Sequence, residues 1–115
     1  MMVELTVFEW LKKKLPGIKV YIEEPKNAGD KFVLVEKTGG TESVGLNTAT
    51  FAVQAYGKTR YEAAELNEKV KEAMYKMAGP DSVATKVELN SDYNFTDLTT
   101  KRYRFQSVYD ITYYN

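Results

Sequence analysis

The sequence has 115 residues, no cysteine and no histidine, and its 16 basic and 16 acidic side chains give a formal net charge of zero. Those absences exclude disulfides, cysteine nucleophiles, thiolate metal sites and any Ser-His-Asp arrangement. The balanced charge argues against a dedicated nucleic-acid binder, because neutralising phosphates normally requires a basic excess. With 43% apolar residues, the chain fits one domain, 1–115, whose small core would gain stability from self-association.

The first two predicted elements are a helix and a strand. In VELTVFEWLKKKL the apolar residues recur at helical spacing, and Pro16-Gly17 ends the helix. The apolar positions are Val3, Val7, Phe8, Leu11 and Leu15. IKVYIEE then alternates Ile18, Val20 and Ile22 with more polar residues, which predicts a half-buried strand that stops at Pro25.

Two more strands and a second helix follow. KFVLVEKT and TFAVQAYG predict strands, and the polar, glycine-rich segment between them predicts a projecting loop over Gly39–Asn47. Thr59 and Glu62 have the spacing of a capping box, which predicts the start of a helix. Its apolar face would consist of Ala63, Leu66, Val70, Ala73, Met74 and Met77. Ala78-Gly79-Pro80-Asp81 ends this helix, and Gly79 suits the position just after its last turn.

The chain closes with two strands joined by a loop. SVATKVELN places Val83, Thr85, Val87 and Leu89 at alternating positions, and Ser91–Lys101 follows as a second projecting loop. RYRFQSVYDITYY is a long last strand. The order α-β-β-β-α-β-β predicts an α+β fold, with a mainly antiparallel or mixed sheet and both helices on one face.

The last strand is open to two interpretations. The alternating tyrosines have large apolar rings for contact and a hydroxyl group that can remain in water. Such side chains are typical of strands that pack on the core with one face and on a partner protein with the other. Because the strand is about twice the usual length, part of it could extend beyond its own sheet. The alternative is a central strand with tolerant outer positions.

A nucleic-acid platform is the first functional alternative. Lys101, Arg102 and Arg104 interleave with Tyr103 and Phe105, as in sheets whose aromatic side chains stack on RNA bases. Strand alternation places Arg104 and Tyr103 on opposite faces, however, which disfavours a single platform. A small ligand- or RNA-binding α+β module therefore remains the second choice.

The acidic residues do not predict a catalytic or metal site. Glu23, Glu24, Asp92 and Asp97 lack the spacing of a carboxylate pair or a calcium loop. We expect solvated surface charges, no catalytic residue, no metal, no cofactor and no enzyme activity. No apolar run reaches the roughly 18 residues of a membrane span, and the first residues lack the apolar core of a signal peptide. We therefore expect no membrane partner.

Three segments together resemble the tail terminators of long-tailed phages and prophages, and the related minor capsid or tail-completion proteins. The first segment holds Pro25, Phe32, Val33, Glu36, Gly39 and Gly40; the second holds Phe51, Val53, Gln54, Glu62 and Ala63; the third holds Tyr93, Asn94, Phe95, Asp97, Arg102, Tyr103 and Phe105. The resemblance covers nearly the whole chain, and it depends on the order and spacing of the three segments together. The tripeptide Leu98-Thr99-Thr100 departs from the glycine- or proline-rich turn of the family.

The resemblance implies a structural protein of the virion tail or neck, made in the bacterial cytoplasm. Such a protein assembles into a ring, commonly a hexamer, on the major tail protein and offers its other face to the head-completion protein. Direct recognition of nucleic acid is not expected. The contact residues that this implies are Gly39, Gly40, Glu42, Tyr93, Asn94, Asp97, Arg102, Tyr103 and Arg104.

Overall fold

A computed structural model describes residues 2–79 and 84–114. Helix α1 spans Val3–Lys14 and helix α2 spans Arg60–Tyr75. The strands are β1 (Val20–Tyr21), β2 (Phe32–Thr41), β3 (Leu46–Gly57), β4 (Ala84–Asn94) and β5 (Tyr103–Tyr114). The predicted order of elements is confirmed. Pro80 and Asp81, predicted to end the second helix, and Val83, predicted to lie in a strand, are outside the described residues.

The five strands form one mixed sheet in the order β1-β2-β3-β5-β4. Strand β1 runs parallel to β2, and all other neighbours are antiparallel. Strand β5 pairs with β3 along its whole length, from Tyr103 opposite Gly57 to Tyr114 opposite Leu46, and with β4 on its other side. It is therefore a central strand, and the interpretation that it extends beyond its sheet is wrong.

Both helices pack on the same face of the sheet and enclose the main core. Helix α2 lies against β3 and β5, and α1 lies against β1 and β2. Every residue predicted for the apolar face of α2 is buried, as are Val3, Val7, Leu11 and Leu15 of the first segment. The Trp10 indole N–H donates to the carbonyl of Ala73 at 2.8 Å and links the two helices. No helix within the described ranges is long and apolar enough to cross a membrane.

The start of α2 follows the predicted capping chemistry. The Thr59 hydroxyl accepts a hydrogen bond from the Glu62 amide at 3.1 Å, which satisfies one of the free amides of the first turn. The Ala63 amide donates to the Thr59 carbonyl at 3.0 Å and closes that turn. The position of the first turn is therefore determined by local sequence.

Three predicted boundaries are corrected. Strand β1 contains only Val20–Tyr21, because it pairs with β2 only at Val33 and Leu34. Strand β2 continues through Gly39 and Gly40 to Thr41, so the loop between β2 and β3 is only 42–45. Residues 91–94, predicted as loop, belong to β4 and pair with β5 as far as Phe105. In each case the pairing with a neighbouring strand, which is not a local property, decides the boundary.

A partly buried polar network connects α2 to β4. The Asn67 side-chain amide donates to one Asp92 carboxylate oxygen at 2.7 Å, and the Lys71 ammonium donates to the other at 2.6 Å. Lys71 also contacts Glu68 at 2.7 Å. The hydrogen bonds to Asp92 and Glu68 raise the pKa of Lys71 above its ordinary value. Asp92 is an exposed residue, as the sequence predicts, but its carboxylate also links β4 to the buried Asn67 of α2.

Replacing Asp92 with alanine should destabilise the protein by about 1–3 kcal/mol, because the buried Asn67 amide loses its acceptor. Urea unfolding followed by circular dichroism would measure the loss. Glu88→Ala is the matched control, since Glu88 lies on the same strand and pairs with Lys86 at an exposed position. It should leave the unfolding midpoint unchanged. Equal effects of the two substitutions would contradict a structural role for Asp92.

Candidate functional site

The residues predicted to make contacts fall into two groups at opposite ends of the sheet. Gly39 and Gly40 lie in the last residues of β2, and Glu42 begins the turn to β3, next to the pair of Thr41 and Thr48. Tyr93, Asn94, Asp97, Arg102, Tyr103 and Arg104 lie at the turn between β4 and β5, close to Gly57. Strand β3 has 12 residues and separates the groups by about 36 Å at about 3.3 Å per residue. That distance is most of the 44 Å length of the molecule.

Arginines and aromatic rings form a compact cluster at the β4–β5 end, on the sheet face opposite the helices. We call Phe32, Tyr56, Phe95, Arg102 and Arg104 the arginine–aromatic cluster. The Phe32 and Tyr56 rings stack with centroids 4.2 Å apart. The Arg102 guanidinium carbon lies 4.8 Å from the Tyr56 ring centroid, and that of Arg104 lies 4.4 Å from the Phe95 centroid. These distances are within the range of cation–π attraction.

Polar contacts hold both guanidinium groups of the cluster in place. Arg104 donates from Nε to the Phe95 carbonyl at 2.7 Å and from Nη1 to the Tyr56 hydroxyl at 3.0 Å. Arg102 pairs with Glu24 at 3.0 Å between Nη2 and Oε2. Little side-chain entropy would be lost on binding, because the arginines are already ordered.

A row of polar side chains continues from the cluster across the outer face of the sheet. The Tyr56 hydroxyl donates to the Gln54 side-chain oxygen at 2.9 Å, and the Gln54 amide donates to the Gln106 side-chain oxygen at 2.8 Å. The Gln106 amide in turn donates to the Tyr93 hydroxyl. The row spans β3, β5 and β4, so Tyr93 is joined to the cluster through hydrogen bonds.

Strand register brings the cluster together from distant parts of the chain. Phe32 lies opposite Tyr56, and Tyr56 lies opposite Arg104, so these three side chains share one face. Tyr103 precedes Arg104 in β5 and lies opposite Gly57, so its side chain points to the sheet face that carries the helices. The prediction that Arg104 and Tyr103 are separated is thus confirmed. The arginines nevertheless meet aromatic rings, which come from other strands and from the β4–β5 turn.

The turn between β4 and β5 is shaped by short polar side chains. The Asp97 carboxylate accepts from the amides of Thr99 at 3.0 Å and Thr100 at 3.4 Å. Asn94 accepts from the Thr96 amide at 3.0 Å in the same manner. Lys101 has a φ of 55°, a left-handed conformation that glycine would adopt at lower cost. The Asp97 and Asn94 hydrogen bonds thus order a turn that lacks glycine and proline.

The charge of Asp97 should contribute to the order of this turn only above its own pKa. The hydrogen bonds from Thr99 and Thr100 lower the pKa of Asp97 from its ordinary value of 3.8. Because the pKa of Asp97 is lower in the folded chain than in the unfolded chain, its charge stabilises the folded state at pH values above the unfolded pKa. This stabilisation is lost as the pH falls through the folded pKa. An NMR titration of the Thr99 amide from about pH 6 to about pH 2 should show a midpoint below that of free aspartate. Asp97→Asn keeps the acceptor oxygen and should abolish that transition, whereas a midpoint at or above the ordinary value would contradict the assignment.

The opposite end of the sheet is a hydrogen-bonded hairpin with an apolar residue at its tip. The Thr41 and Thr48 hydroxyls hydrogen-bond at 2.7 Å, and the Ser43 amide donates to the Asn47 side chain at 3.0 Å. A Cβ added to Gly40 would lie 2.5 Å from the Thr48 carbonyl oxygen, so this position needs glycine. Val44 is fully exposed between Ser43 and Gly45.

Comparisons with models of protein families and with curated proteins found no match for this chain. Within residues 2–79 and 84–114, no group of three or more acidic side chains lies close enough together to hold a metal ion. Of the four acidic residues considered from sequence, Glu24, Asp92 and Asp97 each have a defined hydrogen-bonding or ionic partner. The surfaces best suited to contact another molecule are the arginine–aromatic cluster and the hairpin tip.

Sequence reasoning missed several residues of these two surfaces. The sequence places Phe32 and Tyr56 in strands and Glu24 in solvent, without a contact role. Val44 lies in the projecting loop Gly39–Asn47, a candidate contact loop, but is not itself named as a contact residue. The alternation of β3 contained a usable signal, because it places Tyr56 on the face opposite Val53 and Ala55. The partners of Tyr56 could not be read from alternation, since they depend on which strands are neighbours.

Proposed function

We propose that this protein is a structural subunit of a long-tailed phage or prophage, namely a tail terminator that forms a ring on the tail tube and joins it to the head-completion protein. One observation supports the structural role: the chain has chemically different side chains at the two opposite ends of a long sheet, arginines with aromatic rings at one end and an exposed valine at the other. A ring built from identical subunits needs unlike surfaces for its two neighbours and for its axial partners. The resemblance in sequence supports the assignment to a phage tail.

The arginine–aromatic cluster is assigned to the contact with the tail tube. Arg and Tyr are enriched in the parts of interfaces that contribute most to binding. Arg104 is half-buried and Phe95 is 39% exposed, so both are accessible to a partner while held in one conformation. A protein surface with carboxylates and apolar groups would complement them.

RNA is the second candidate partner, favoured by the fact that Arg104 shares a face with Tyr56 and Phe95. Two features weigh against it. Tyr56 is only 3% exposed and Phe32 is fully buried, so bases cannot stack on these rings. Glu24 also neutralises Arg102. A protein partner therefore agrees better with the cluster.

The test is binding to tail tubes assembled from the major tail protein of the same phage, observed by negative-stain electron microscopy. We expect a ring at one end of each tube. Arg104→Gln should lower the fraction of occupied ends about tenfold, as for loss of a central interface residue. Arg60→Gln is the matched control, because Arg60 is exposed at the start of α2, and it should bind as the original protein does.

Bare tube ends, or protein along the sides of the tubes, would overturn the proposal. Binding of single-stranded RNA that weakens steeply with salt and is lost in Arg104→Gln would favour the second candidate. Thermal unfolding of both variants would show whether each is folded.

A further inference from the structure

A groove lies between the helices, on the layer opposite the arginine–aromatic cluster. Its volume is about 290 Å³, and its apolar lining consists of Leu15, Pro16, Ile18 and Ala73. Its charged lining consists of Lys14, Lys69, Glu72 and Lys76. Glu72 pairs with Lys76 at 3.2 Å, which leaves Lys14 and Lys69 as excess positive charge. The groove therefore suits an apolar side chain next to a carboxylate.

The hairpin tip presents that combination. Val44 is fully exposed, Leu46 is partly exposed, and Glu42 is the only charged residue between Thr41 and Leu46. An apolar residue at a loop tip gains by leaving water. Because Val44 is exposed in the isolated chain, the groove of the same chain does not receive it.

We propose that the hairpin tip of one copy inserts into the helix groove of a second copy, with Val44 on the apolar lining and Glu42 facing Lys14 and Lys69. This rests on the proposed function, since it specifies the contact by which neighbours in the ring would meet. The groove is apolar and basic, and the tip is apolar and acidic, so polarity and charge both agree. The hydrogen bonds of Thr41 and Ser43 hold the tip in one conformation and reduce the entropy lost on docking.

The contact is head to tail. The tip lies at the end of β2 and β3, whereas the groove lies between α1 and α2, so each copy offers a different surface to each neighbour. Such a contact leaves one tip and one groove free in any open chain of copies. Repetition closes a ring if the rotation between copies divides a full turn, and otherwise produces a filament.

Disulfide trapping can test this contact. The chain has no cysteine of its own, so any disulfide must join the introduced cysteines. Val44→Cys protein and Lys69→Cys protein are mixed at high concentration and oxidised, and the mixed dimer is quantified by mass spectrometry. The mixed dimer should exceed the dimer of two Val44→Cys chains. Leu98→Cys is the matched control, since Leu98 is an exposed apolar residue at the opposite turn. A mixture of Leu98→Cys with Lys69→Cys that cross-links equally well would overturn the proposal.

Sedimentation of the cysteine-free protein provides the second measurement. Val44→Lys should weaken self-association about tenfold or more, because it removes an apolar contact and places a cation near lysines. Leu98→Lys should have no effect. Equal self-association of both variants would overturn the proposal. If the Val44→Lys protein still forms rings on tube ends, the tail-terminator function stands and this contact is rejected. If the cysteine variants cross-link selectively but the protein does not bind tubes, the contact stands and the tail-terminator function is rejected.

Discussion

Replacing Gly57 with alanine should destabilise the protein by about 3 kcal/mol, near the upper end for adding a methyl group to a packed site. A Cβ at this position would lie 2.3 Å from the Ala63 amide nitrogen and 2.8 Å from the Glu62 carbonyl carbon. Both contacts are backbone atoms in the first turn of α2. That turn is held by the Thr59 cap and by the Ala63–Thr59 hydrogen bond, so it cannot retreat without losing those bonds.

Urea unfolding monitored by Trp10 fluorescence and circular dichroism would measure this loss. Gly39→Ala is the matched control, because a Cβ at Gly39 meets nothing within 4 Å. It should change stability by only a few tenths of a kcal/mol. A Gly57→Ala protein as stable as the Gly39→Ala protein would show that α2 packs less closely on β3 than described.

Replacing Phe32 with alanine should cost about 3–5 kcal/mol, the range for truncating a buried phenylalanine. Phe32 is fully buried, although it lies on the face opposite the helices. It supports Tyr56 by stacking and touches Tyr21 edge-on with centroids 5.8 Å apart. Its loss would leave a cavity beneath Arg102 and loosen the arginine–aromatic cluster, so tube binding should weaken as well.

Phe95→Ala is the matched control within the same cluster. Phe95 contacts Arg104 and, edge-on, Tyr93, but it is partly exposed. Its replacement should therefore cost only about 1–2 kcal/mol, from the lost cation–π and aromatic contacts. Chemical denaturation would separate the two variants. If Phe32→Ala cost no more than Phe95→Ala, the outer face of the sheet would have no core of its own.

Much of the fold followed from local pattern. The helical spacing of Val3, Val7 and Leu11 identified the buried face of α1, because a helix repeats its surface every three to four residues. Alternation along the last strand places Tyr109 and Ile111 on one face, because successive side chains of a strand point to opposite faces, and the structure shows that this face is buried. The Thr59 cap was also predictable, since it depends on residues only three positions apart.

The surfaces proposed to make contacts were predictable only in part. The expected residues at the β2–β3 and β4–β5 turns do lie at exposed ends of the sheet, but nothing in the sequence showed that these ends are about 36 Å apart. The length of the hairpin was underestimated, because Gly39 and Gly40 are typical of a loop. Their place in a strand follows from pairing with Ala49 and Thr50.

By itself the sequence determined the elements, the buried face of each helix and the absence of cysteine and histidine chemistry, because these depend on composition and on neighbours a few residues apart. Tertiary structure alone decided that β5 is central and that Phe32, Tyr56 and Arg104 meet on one face. It also placed a basic apolar groove and an acidic apolar tip on different parts of one chain. Such juxtapositions depend on which strands pair and in which register, and the free energy that selects them comes from contacts between residues far apart in the chain.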